Sequence, residues 1–309
     1  MNEALRAAAV RRSLRTLRPN AARRRGATNR RWLALTLGLA LLGGNAIAQD
    51  KPPRAAFRVC QDPNNLPFSN TQGEGIENRI AELFGKALGL PVTYYSFPQR
   101  LAFIRNTLRF KLPDQDYPCD IVMGVPVGYD QVSVTKPVYR STYALVFAQG
   151  KGMDGVRSTA DFLQLGRERI GKLRIGVYDR SPASEWLNKH GLVESGVPYQ
   201  IMSPDPQQYP GEIIEKDLVS GKLDVAIVWG PIAGYFAKRV NSPSLTVIPM
   251  ASEPGVRFDY QMAMGVRYGE REWKQQIESL IDSKQAEINA ILQEFGVPLL
   301  GDAGAATPR

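Results

Sequence analysis

Cys119-Asp-Ile-Val-Met-Gly-Val-Pro-Val-Gly-Tyr-Asp130 is the stretch whose reading decides the fold. Residues 121–125 form a short apolar run without polar alternation, as a strand buried on both faces requires. Pro126 and Gly128 then break the run into a loop that carries Tyr129 and Asp130. Such a strand belongs to a parallel α/β sheet, whose ligands gather at the strand ends. The next segment, Thr135-Lys-Pro-Val-Tyr-Arg-Ser-Thr-Tyr-Ala-Leu-Val-Phe147, is β-rich. It is expected to cross from one α/β lobe to another, with the 126–131 loop lining the cleft between them.

Upstream, Phe57-Arg-Val-Cys60 reads as the first strand, and 61–70 as a loop, because its two prolines and three asparagines do not continue a ladder. Ile76, Ile80, Leu83, Phe84, Ala87 and Leu88 recur at helical steps, and Gly89 stops that helix. A strand is expected over 91–96. Leu101, Ile104 and Leu108 predict a second helix over 99–110. The order β-α-β-α-β begins a sheet with helices on both faces.

Downstream, Gly150, Gly152 and Gly155 mark a break, after which a second α/β unit starts. Strands are expected over 173–178, 198–202, 223–229, 245–250 and 260–266, and helices over 212–220 and 230–238. Ser181-Pro182 opens another helix, with serine as the cap and proline in its first turn. Ile277, Leu280, Ile281, Ile288, Ile291 and Leu292 stripe a long helical region over 272–295. The expected organisation is lobe I over 49–148, lobe II over 149–250, a return to lobe I over 251–300 and a frayed tail over 301–309. Two segments, Leu112–Val125 and Ser220–Pro231, share the pattern of turn, aspartate, buried strand and Gly/Pro loop, and Asp120 and Asp224 occupy matching places in it.

The net charge of +9 says little about partners. Residues 1–48 hold ten arginines and a single acid, Glu3, which account for all of it, and the rest of the chain is balanced. Nothing in the charge points to nucleic acid. The arginine-rich start, the apolar run Trp32-Leu-Ala-Leu-Thr-Leu-Gly-Leu-Ala-Leu-Leu42 and the small-x-small Ala46-Ile-Ala48 read as a signal peptide over 1–48, cleaved after Ala48. A bilayer span needs about 20 apolar residues, so this run is short for an anchor. The expected product is exported, periplasmic and not embedded in the membrane. In an oxidising compartment the two cysteines, Cys60 and Cys119, read as one disulfide. A metal or redox pair is disfavoured, because no histidine lies near them and the spacing is far from Cys-x-x-Cys. One histidine, no spare cysteine and no Gly-x-Ser-x-Gly leave little for nucleophilic or metal catalysis. The chain is therefore expected to be no enzyme, with no catalytic residue, bound metal or cofactor.

Across residues 55–296 this arrangement resembles a type II periplasmic binding protein, of the kind that serves amino-acid import. The implied fold is a two-lobed α/β structure with parallel-type sheets flanked by helices and a cleft between the lobes. More narrowly, the chain resembles the MxaJ/XoxJ family, the solute-binding-like proteins associated with quinoprotein methanol dehydrogenases. The stretches that carry this are Arg58-Val-Cys-Gln-Asp-Pro-Asn-Asn-Leu-Pro-Phe-Ser-Asn70, Gly73-Glu-Gly-Ile-Glu-Asn-Arg79, Pro98-Gln-Arg100 with Arg105-Asn-Thr-Leu108, Cys119 to Tyr129, and Asp224-Val-Ala-Ile-Val-Trp-Gly-Pro-Ile-Ala-Gly-Tyr-Phe236. The amino-acid receptors place an arginine after the third strand to grip the ligand carboxylate. Here that loop is Val127-Gly-Tyr-Asp-Gln131, and Trp229 stands where those proteins present an aspartate.

The candidate cleft residues are Asn64, Asn65, Ser69, Arg100, Tyr129, Asp130, Tyr139, Arg140, Ser181 and Trp229. Asn64, Asn65 and Ser69 either face the cleft or satisfy their own turn. Tyr129 and Asp130 sit on a strand-end loop, where function concentrates. Arg100 is a surface charge or an anion contact. Trp229 is core packing or a stacking wall. Tyr139, Arg140 and Tyr143 line the crossing or simply alternate along a strand, and His190 reads as a helix-end cap. The resemblance implies an accessory that binds a PQQ-dependent methanol or alcohol dehydrogenase, with that enzyme's cytochrome c as a further candidate partner, and aids its maturation or activation. Any quinone or metal would belong to the dehydrogenase. The alternative is the receptor of an ABC importer for a small polar solute.

Overall fold

The computed structural model describes residues 54–99, 102–201, 205 and 207–301. The signal segment with its cleavage site, Arg100, Leu101, Met202 and the tail beyond 301 lie outside the described residues. Among the described residues no helix is long and apolar enough to cross a membrane.

Strand β1 (Phe57–Gln61) leads into a loop that folds back as a miniature hairpin, β2 (Asn64–Asn65) against β3 (Ser69–Asn70). The sequence predicts no ladder here. Side chains supply what the backbone lacks: the Asp62 carboxylate accepts from the Asn64 N–H at 2.8 Å, and the Ser69 hydroxyl donates to the Asp62 carbonyl at 2.9 Å. Helix α1 (Ile76–Leu88) follows, with the Asn78 amide oxygen accepting from the Gly75 N–H at 3.1 Å and Gly89, left-handed at φ 65°, ending it. Strand β4 (Val92–Ser96) runs parallel to β1. The helix expected over 99–110 is reduced to a single turn, α2 (Phe103–Asn106). Ala102 is left-handed at φ 69°, which no continuous helix accommodates, and Thr107 turns its hydroxyl back to the Phe103 carbonyl at 2.7 Å. The deciding stretch forms β5 (Ile121–Pro126), parallel to β1.

Strand β6 (Ser133–Ala148) is 16 residues long. The chain then makes α3 (Thr159–Gln164), α4 (Arg167–Ile170), β7 (Ile175–Tyr178) and α5 (Pro182–Lys189), the last capped by the Ser181 hydroxyl as the sequence predicts. Next come β8 (Gly196–Tyr199), a π-helical segment at Ile213–Leu218, β9 (Val225–Trp229), α6 (Gly230–Arg239), β10 (Leu245–Pro249) and β11 (Asp259–Val266). The long C-terminal helix is two helices, α7 (Arg271–Ser283) and α8 (Gln285–Glu294), separated at Lys284.

The strands order as β4-β1-β5-β11-β6-β9-β7-β8, with β10 also on β6. The outer pairings are parallel and the central ones antiparallel. Strand β6 pairs with β11 over its first part, as far as Thr142 against Asp259. From Tyr143 against Trp229 onward it pairs with β9. It therefore belongs to two wings, and the passage between them lies within a strand. The first wing packs α1, α7 and α8 on one face around Phe57, Phe84 and Ile277, and its other face buries Phe103, Leu108 and the Cys60–Cys119 disulfide, whose Cα atoms are 5.2 Å apart. The second wing is likewise covered on both faces, around Phe147, Phe162 and Trp186 on one and Val228, Ile213 and Phe236 on the other. This is a type II periplasmic-binding-protein fold.

Candidate functional site

A cavity of about 760 Å³ is lined by the 62–68 hairpin and Gln99 on one side and by second-wing residues on the other. Its walls include Tyr143 on β6, Tyr178, Tyr199 and Trp229 at the ends of β7, β8 and β9, and Tyr209 and Ile213 at the π-helical segment. Parallel strands deliver their last residues to one side of a sheet, which is why three successive strand ends meet here. Tyr178 and Tyr199 are register partners, with rings edge to face at 6.2 Å. Trp229 stands edge to face with Tyr143 at 5.5 Å and with Tyr260 at 5.9 Å. Gly230, the next residue, has room for no side chain: an added Cβ would come within 2.2 Å of the Thr142 carbonyl oxygen. That close approach sets the start of α6, and so Trp229, hard against β6.

The phenols are tied to the wall. Tyr178 donates to the Pro210 carbonyl at 2.9 Å, Tyr209 to Glu215 at 2.8 Å and Tyr199 to Asp217. Burial pushes the hydroxyls of all three upward, and a neighbouring carboxylate adds to this at Tyr199 and Tyr209. Burial also raises Tyr143, to about 12. Lys216 pairs with Glu212 at 2.7 Å and Lys222 with Asp217 at 2.9 Å. Near the hairpin, Glu77 lies against β5 so closely that a Cβ on Gly124 would reach its Oε1 at 2.4 Å. Burial, with a contribution from the Asp62 charge, pushes the Glu77 carboxyl up to about 7.

The sequence-predicted residues divide among several places. Asn64, Asn65, Ser181 and Trp229 line the large cavity. The Asn64 amide reaches the Gln207 carbonyl at 3.3 Å, spanning from the hairpin to the second wing, and Asn65 holds Gln99 at 2.8 Å. The Ser181 hydroxyl is occupied in donating to the Tyr178 carbonyl at 2.6 Å and capping α5. Ser69, in the second strand of the hairpin, is buried and off the cavity wall. Tyr129 and Asp130 are also off this wall: the Tyr129 ring drops into the cluster around Cys60 and Phe103, and exposed Asp130 offers its carbonyl to the Tyr268 hydroxyl at 2.9 Å. Tyr139 and Arg140 line a separate hollow of about 380 Å³ beside α8, where Arg140 pairs with Asp259 at 2.6 Å. Arg100 lies outside the described residues. The tyrosines at 178, 199 and 209 were not among the candidates. Tyr178 is an aromatic at the end of β7 as Trp229 is at the end of β9, whereas Tyr199 ends β8 but falls inside the strand that the sequence suggests over 198–202.

No protein-family model matches the chain. The solved structure of the periplasmic binding protein XoxJ from Methylobacterium extorquens AM1 is 33% identical, and it aligns over 80% of this chain and 100% of that one with a TM-score of 0.63. This chain belongs to the MxaJ/XoxJ family. Protein MoxJ of Paracoccus denitrificans is 27% identical over 274 residues, 84% of this chain and 95% of that protein. MxaJ from Methlophaga aminisulfidivorans MPT shares the fold, with a TM-score of 0.65 at 23% identity over 79% of this chain and all of that one. In this MxaJ/XoxJ chain, no arginine lines the large cavity among the described residues, and the strand end at 229 carries an indole in place of a carboxylate.

Proposed function

We propose that this MxaJ/XoxJ chain is a periplasmic accessory of a PQQ-dependent methanol or alcohol oxidation system, binding the quinoprotein dehydrogenase and aiding its maturation or activation without catalysing a reaction itself. The observation that carries the reading is the end-to-end match to XoxJ. The cavity wall supports it. A receptor for free α-amino acids needs a guanidinium for the carboxylate and an acid for the ammonium, and the described wall has neither arginine nor an aspartate at 229. The signal segment supports export, and the balanced charge of the body leaves the dehydrogenase as a protein partner rather than nucleic acid.

The test is affinity capture of the tagged protein from the periplasm of its own cells grown on methanol, with mass spectrometry of bound proteins and bound small molecules. The quinoprotein dehydrogenase is expected in the captured fraction, alone or with its cytochrome c. A tightly held small solute with a membrane permease, and no dehydrogenase, overturns this reading and makes the chain an importer's receptor.

A further inference from the structure

The large cavity combines aromatic faces, hydrogen-bond acceptors and carboxylates, and both of its lysines are already bound. The Tyr178 and Tyr199 hydroxyls already donate to the Pro210 carbonyl and to Asp217, so both tyrosines line the cavity with their donors engaged and their oxygens left as acceptors. The wall lysines, 216 and 222, are paired with Glu212 and Asp217. Asp62 accepts the backbone N–H groups of Asn64 and Gln99, and among the described residues no lysine or arginine forms an ion pair with it. A cation already rests on one of these rings: the Lys216 ammonium lies 5.7 Å from the centre of the Tyr209 ring.

We propose that this cavity is a binding site for an organic ammonium ion with a small apolar body. An anionic ligand would meet the carboxylates of Asp62, Glu212 and Asp217, and the two wall lysines that would answer it are already paired with two of these. A neutral apolar one would strip water from the Asp62 carboxylate without replacing it. An ammonium group answers both: its charge faces Asp62 and the electron-rich ring faces, and its alkyl part packs on Trp229, Tyr143 and Ile213. The cavity volume of about 760 Å³ suits a small molecule of this class. A free quaternary ammonium and a lysine side chain of a bound polypeptide both bring a positive charge on an alkyl body, and only the lysine also donates hydrogen bonds. The inference does not depend on dehydrogenase binding.

Isothermal titration of the purified protein at neutral pH tests it. The probes are choline, its neutral isostere 3,3-dimethylbutan-1-ol, acetate, and a short peptide bearing one lysine. Choline is expected to bind at least about tenfold more tightly than the isosteric alcohol, with acetate silent. A peptide tighter than choline by a similar factor assigns the ammonium to a polypeptide, and the reverse order assigns it to a free solute; both support a cation site. Asp62→Asn and Tyr199→Leu, checked for an unchanged thermal midpoint, are expected to weaken choline about fivefold or more. Equal binding of choline and the alcohol, preference for acetate, or no heat from either ammonium overturns the inference, and the wild-type comparison holds whether or not the variants fold. A silent titration leaves the capture of a dehydrogenase standing, and failed capture leaves the titration standing.

Discussion

The two wings begin their third strands in the same way and anchor them in different surroundings. Asp120 precedes β5 and receives Arg58 side-on, at 2.7 and 3.1 Å, while its N–H donates to the Arg58 carbonyl. Asp224 precedes β9 and receives Arg174 in the same manner, at 2.9 and 2.9 Å, with its N–H on the Arg174 carbonyl. The first clasp is sealed: the Asp120 side chain is 0% exposed and gathers two more arginines, Arg54 at 2.6 Å and Arg267. The second is open, with Asp224 31% and Arg174 50% exposed and a single arginine on the carboxylate. A carboxylate withdrawn from water needs several donors to stay charged, whereas water does most of that work for one at the surface. Burial alone would raise Asp120, yet the hydrogen bonds from Arg58 and Arg267 and the Arg54 charge hold it below its ordinary value of 3.8. At Asp224 the Arg174 hydrogen bonds lower the carboxyl directly. One sequence motif has thus become a structural hub in one wing and a surface pair in the other.

The comparison breaks most sharply at Asp120→Asn, which leaves three arginines around a neutral group and is expected to cost about 3–5 kcal/mol. Amide exchange should report faster opening at Val59 and Ile121 than at Val225 and Ile227; equal opening in both wings would dissolve the distinction. The native carboxyl titrates below its unfolded value, so its contribution is present above about pH 4 and fades as the pH falls. The gap between wild type and variant is therefore expected to narrow as the pH falls below the unfolded value, read by acid denaturation. Reducing the Cys60–Cys119 bridge, one residue from the hub, is expected to remove about 2–4 kcal/mol, read by urea unfolding with and without reductant.

Glu77 sharpens the point from the opposite side, as a first-wing acid with no arginine paired to it among the described residues. Its folded value near 7 exceeds the ordinary 4.5, so its penalty is absent below about pH 4 and grows as the pH rises toward 7. Glu77→Gln is expected to stabilise by about 1 kcal/mol at about pH 8 and by nothing at about pH 4, seen as pH-dependent melting. Smallest of all, Asp224→Asn is expected to cost about 0.2–1 kcal/mol, an effect that salt reduces in the same melting assay.

The aspartates, their buried strands and their equivalence are legible in the sequence, because a short apolar run after a turn is a local signal. Their arginine partners are not, since Arg58 lies 62 residues from Asp120 and Arg174 lies 50 from Asp224. Burial is equally invisible locally: Arg267, which seals the first hub, reaches it from beyond the end of β11. The cap at Ser181 and the stop at Gly89 are local and read directly. The helix over 99–110 had the right apolar spacing, but a left-handed Ala102 overrode it. In the site, a strand-end aromatic led to Trp229, and the same reasoning at the end of β7 yields Tyr178, but not Tyr199, because β8 stops three residues short of the strand expected over 198–202. It fails at Tyr129, because the face of β5 beyond the disulfide offers that ring an apolar seat away from the cavity.

The placement of β11 has a consequence for the order in which the molecule is completed. β5 is flanked on one side by β1, which precedes it, and on the other by β11, which begins only at Asp259. The wing that is made first is thus finished last: its inner edge stays open until nearly the whole chain is available, while β7, β8 and β9 can assemble with the end of β6 from a contiguous stretch. Long-range closure of this kind slows folding and leaves a strand edge exposed to other chains.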